Sequence, residues 1–148
     1  MRYSVCMGRD QSHSKKDILV VDDDDFVLSI IEKILDDHPE YNPTVSRSAE
    51  SAFEELKKQV FDLIITDIIM PEKDGIQFIE ELRKEDKSTP VIAITGGDAG
   101  AADNAHEYGN FAGYFANETL IKPFGKDDLY TAIDMAMDNN HGDALQYL

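Results

Sequence analysis

The sequence predicts an α/β fold in which a parallel sheet is covered by helices on both faces. Three observations predict it: short aliphatic runs recur along the chain, amphipathic stretches of helical spacing lie between them, and the runs end in polar or charged residues. Apolar strands joined by helical crossovers mark a parallel sheet buried on both sides. In such sheets function gathers at the carboxyl ends of the strands. At 148 residues the chain is the size of one domain, long enough for a real core and short for two.

Residues 1–16, MRYSVCMGRDQSHSKK, are polar and without periodicity and read as a flexible extension. DILVV is the first buried strand, running straight into four aspartates at 22–25. Val27, Ile30, Ile31 and Ile34 then follow helical spacing until Pro39 stops them. PTVS is a weak strand, and Ser48 is placed to cap a helix whose Ala49, Ala52, Phe53, Leu56 and Val60 share a face. FDLIIT is a second buried strand, followed after Gly75 by a helical stripe of Ile76, Ile79 and Leu82. PVIAIT is the third strong strand. A helix is expected over 102–115, with Tyr108, Phe111, Ala112 and Phe115 on one side. TLIK is a short fifth strand; Leu129, Ala132, Ile133 and Ala136 mark the last helix, and 139–148 read as a tail. Five strands thus alternate with five helices, and the domain is expected over 17–138.

Composition narrows the partners. A formal charge of −16 repels phosphate backbones and anionic lipid, which argues against nucleic acid or membrane and favours cations and basic protein surfaces. Cys6 is the only cysteine, so no internal disulfide forms and a thiolate metal site is not expected. No apolar run reaches membrane-spanning length and no secretory signal is visible, so a cytoplasmic protein is expected.

The strand ends carry the chemistry. Asp22 and Asp23 end the first strand, Asp67 the third, Thr95 the fourth and Lys122 the fifth. Three carboxylates converging at one edge repel one another unless a cation neutralises them. Mg²⁺ suits an all-oxygen pocket, keeping waters and leaving a position for a phosphoryl oxygen. Asp67 is then a candidate nucleophile toward phosphorus. The oxygens of the transferring group would be met by the metal, by the Lys122 ammonium and by the Thr95 hydroxyl. Taken singly, each residue has an ordinary explanation as loop acid, turn residue or solvated cation; their joint placement favours a site. Asp24 and Asp25 are better read as starting the next helix, and the histidines at 13, 38, 106 and 141 lack ligand spacing.

The four segments ILVVDD, FDLIITDIIMPEKDG, PVIAITGG and LIKPF, in this order, resemble the receiver domain of two-component response regulators over about residues 17–138. The resemblance implies a flavodoxin-like (βα)5 three-layer sandwich with strand order 2-1-3-4-5. It implies Asp67 as phosphoacceptor, Asp23 as direct Mg²⁺ ligand, Asp22 acting through a water, and the Ile69 carbonyl completing the shell. Thr95 matches the switch hydroxyl and Lys122 the lysine that pairs with the phosphoryl group, with a cis Lys122–Pro123 bond as a candidate.

Two departures stand out. Thr119 occupies the position where receivers often carry an aromatic ring, and the interval from Thr95 to Lys122 is lengthened, mainly in GGDAGAAD. The implied function is a stand-alone receiver, since few residues follow the last helix. It would take phosphate from a sensor histidine kinase and signal by phosphorylation-dependent protein contact, as monomer or phosphorylation-dependent dimer. The alternatives are a relay intermediate passing phosphate to a histidine phosphotransfer protein, and a Mg²⁺-dependent aspartyl-phosphate phosphatase. The phosphatase would want a second acid two residues beyond its nucleophile, where this chain has Ile69. The same apolar residue does little to position a hydrolytic water, so self-dephosphorylation is expected to be slow.

Overall fold

Each aliphatic run becomes a strand because its residues are branched and apolar on both faces, which suits only a strand buried on two sides. The computed structural model describes residues 15–68, 75–96 and 116–146, with side chains to residue 138. The strands are β1 (Lys16–Val21), β2 (Tyr41–Ser46), β3 (Leu63–Asp67), β4 (Val91–Thr95) and β5 (Glu118–Ile121). They form one parallel sheet in the order β2-β1-β3-β4-β5. The described helices are α1 (Asp25–Asp36), α2 (Ala49–Lys58), α3 (Gly75–Glu85) and α4 (Lys126–Gln146). The helix expected over 102–115 lies outside the described residues, as does the extension over 1–14. The last helix continues to Gln146, into the segment read as a tail.

Alternate residues of β1, β3 and β4 feed two cores. Ile18, Val20, Ile65, Ile92 and Ile94 pack under α1 and α4, with Leu28, Ile31, Leu35, Leu129 and Ile133. Leu19, Val21, Ile64, Val91 and Ala93 face the other way, onto Ala52 of α2 and Phe78 and Ile79 of α3. Each of the Val, Leu, Ile and Phe side chains among them contributes about 1.5–3 kcal/mol when fully buried, which makes the three inner strands the rigid part of the frame. The helix starts match their sequence signals. Asp24 caps α1 by accepting from the Phe26 amide, and Ser48 caps α2 by accepting from the Ser51 amide. β2 carries Pro43 and lies at the sheet edge, where a missing amide costs least. β5, at the opposite edge, has four residues and buries only Leu120. The Lys122–Pro123 bond is cis.

Candidate functional site

The parallel register brings the carboxyl ends of four strands to one edge. Asp22 follows β1, Asp67 ends β3, Thr95 ends β4, and Lys122 follows β5. Backbone bonds continue past the strands and fix these ends. The Asp22 amide donates to the Ser46 carbonyl at 3.0 Å, Ile68 to Ile94 at 3.0 Å, and Lys122 to Thr95 at 2.9 Å. The acids, hydroxyl and amine singled out from sequence therefore arrive together, and Ile69 alone of that set lies outside the described residues.

Their environments differ. Asp22, Asp67 and Thr95 are buried, whereas Asp23 is exposed and opens the cluster to solvent. One oxygen from each of Asp22, Asp23 and Asp67 lies within 4.8 Å of the others. The Asp22 Oδ1 accepts the Asp24 amide at 2.9 Å, but its Oδ2 is buried with no hydrogen-bond donor. Burial is the main force pushing the Asp22 carboxyl up to about 6; the Asp24 amide opposes it and the neighbouring Asp67 charge adds to it. The Lys122 ammonium stands 3.7 Å from Asp22 Oδ2 and 3.6 Å from Asp67 Oδ2, too long for hydrogen bonds but close enough for strong attraction at a buried edge.

Among the described residues, three carboxylates against one ammonium leave two negative charges, which one divalent cation would balance. Together with the orphaned Asp22 Oδ2, this fits a hard cation held by oxygen ligands. Gly75, which in the sequence only precedes a helical stripe, has a closer part in the site. Its amide donates to the Ile68 carbonyl, and a Cβ there would overlap the carbonyl oxygen of Asp67. The start of α3 is thus seated on the backbone of the buried acid. The signal was present as a glycine following Asp74, but a turn and a close approach look alike in sequence.

Fold and site together define a doubly wound α/β protein that concentrates charge at the carboxyl edge of its sheet. A family model described as the response regulator receiver domain matches residues 18–134. The chain is 33% identical over 131 residues to the transcriptional regulatory protein ZraR of Escherichia coli, covering 88% of this chain and 28% of that protein. It is 30% identical over 115 residues to the response regulator Rre1 of Synechocystis, covering 76% of this chain and 47% of the relative. A solved receiver domain protein from Clostridium thermocellum superposes with a TM-score of 0.71 at 28% identity, covering 84% of this chain and 95% of the other. The chain belongs to the response regulator receiver domain family, and so to two-component signalling. It spans less than half the length of either curated relative, and receivers are signalling domains rather than classical enzymes.

Proposed function

We propose that Asp67 accepts a phosphoryl group from a phosphohistidine, of a sensor kinase or a histidine phosphotransfer protein, and that the modified domain signals through protein contact. The observation that supports this best is the pairing at Asp67: one carboxylate oxygen clusters with Asp22 and Asp23, and its Oδ2 faces the Lys122 ammonium at 3.6 Å. An Asp67 oxygen attacks phosphorus, an O–P bond forms, the N–P bond breaks, and the imidazole nitrogen keeps the electron pair. Mg²⁺, held by Asp23 and Asp67 directly and by Asp22 through water, would supply charge neutralisation on a phosphoryl oxygen. Lys122 attracts a second oxygen, and the Thr95 hydroxyl donates to a third.

Signalling follows from the last contact. Thr95 moves toward the new oxygens and biases a pre-existing equilibrium of the surface beyond β4. Thr119 stands exposed on β5, so this movement is not coupled there to a ring that turns inward. A charge of −16 favours a basic protein surface over nucleic acid as the receiver of the signal.

The test is mass analysis after incubation with Mg²⁺ and acetyl phosphate. One added phosphate is expected on the wild-type chain and none on Asp67→Asn. An adduct that persists in the variant would sink the assignment of Asp67.

A further inference from the structure

β5 is the least specified strand of the sheet. It lies at the edge, pairs only with β4 among the described strands, and has one buried side chain, Leu120, to choose its register. Yet Lys122 rides on its end. A one-residue slip would turn Leu120 outward and carry Lys122 about 3.3 Å along the strand, away from both acids.

The opposite end of β5 is clamped. The Asn117 amide donates to the Val91 carbonyl at 2.8 Å, and Asn117 Oδ1 accepts the Val91 amide at 2.9 Å. Asn117 thus grips both backbone groups of the first residue of β4. The same Oδ1 accepts from Arg83 Nη2 at 3.2 Å, while Arg83 Nη1 donates to the carbonyls of Thr89 at 2.7 Å and Asp86 at 3.2 Å. One guanidinium therefore ties the end of α3, the turn into β4 and Asn117, the residue that leads into β5, together. Its planar fork suits three acceptors in fixed directions, a task a lysine could not repeat.

We propose that Arg83 and Asn117 are positioning residues for Lys122: they set the register of β5 and so the distance from the ammonium to Asp67. The role rests on the phosphoryl-transfer reading above. Neither residue touches the phosphoryl group; both act through the strand.

The full chain with Mg²⁺ and acetyl phosphate tests it, acetate leaving with the electron pair of the broken P–O bond. Arg83→Met keeps the stem and removes the N–H donors. We expect its circular dichroism to match the wild type and its Mg²⁺ binding, measured calorimetrically, to be retained or tighter once the ammonium leaves the carboxylates, while phosphorylation slows about tenfold. Lys122→Ala should slow the reaction similarly, and the double variant should be no slower than Lys122→Ala alone, because the clasp works through that side chain. Losses that multiply in the double variant, or a full-rate Arg83→Met, would overturn the proposal. A second pair covers the case in which Arg83→Met does not fold. Asn117→Ala should be slow and Asn117→Asp, which keeps the acceptor oxygen, should restore the rate; equal rates in the two count against the clasp. Lys122→Ala running at the wild-type rate would overturn the role of Lys122 itself. A wild-type chain that takes no phosphate would overturn the phosphoryl-transfer reading beneath it.

Discussion

Asp22 illustrates how burial ties the charge of one residue to the stability of the fold. In the folded chain its carboxyl is raised from 3.8 to about 6, chiefly by burial, so the fold favours the neutral form. Its contribution to stability is complete below the ordinary value and is lost as pH rises through about 6. Above that, the buried charge costs ~3 kcal/mol unless a cation offsets it. Calorimetric melts of the metal-free protein from pH 4 to 7 should therefore show Asp22→Asn gaining stability relative to the wild type as pH rises. Saturating Mg²⁺ should close the gap by stabilising the wild type. A difference that stays flat across the window would count against a buried, metal-seeking carboxylate. This behaviour was only half legible in the sequence. The sequence separates Asp24, which starts the helix, from Asp22 and Asp23 at the strand end, but only the tertiary frame makes Asp22 buried and Asp23 exposed.

At the scale of elements, the seat of α3 is the most demanding contact near the site. Gly75→Ala puts a methyl group into the Asp67 carbonyl, which forces the helix or the strand end to move. Urea unfolding should show a loss of about 1–3 kcal/mol, the usual cost of overpacking, together with slower phosphorylation. An unchanged midpoint would mean that α3 shifts at no cost. The sequence revealed the strands and helix starts because their causes are local: aliphatic runs, Ser48, Asp24, and the acids and amine at the strand ends. It did not reveal Arg83 and Asn117, whose partnership joins residues 34 apart and follows from the sheet order alone. Nor did it reveal which of Leu120 and Ile121 faces inward, since neighbours on a strand point to opposite faces and both are apolar. The reach of α4 to Gln146 was also hidden, because Gly142 in its path looks like a stop.

For the whole molecule, charge is the dominant fact. Exposed ion pairs such as Lys33–Asp37, Arg47–Asp25 and Lys57–Glu54 return little, so most of the −16 acts as self-repulsion. Salt should relieve it: in a chelator, raising KCl from about 0.05 to 0.5 M should raise the melting temperature. A fall would show that specific ion pairs outweigh the repulsion. Among the described residues no helix is long and apolar enough to cross a membrane.

The seat of Gly75 and the grip of Arg83 lie at opposite ends of one helix. From Asp67 the chain of contacts runs through α3 to Asn117, along β5 to Lys122, and across 3.6 Å back to Asp67. It is a closed circuit, with the buried carboxylate of Asp67 as both its first and last station. Asp67 and Lys122 are therefore joined by two routes, one through space and one around the loop.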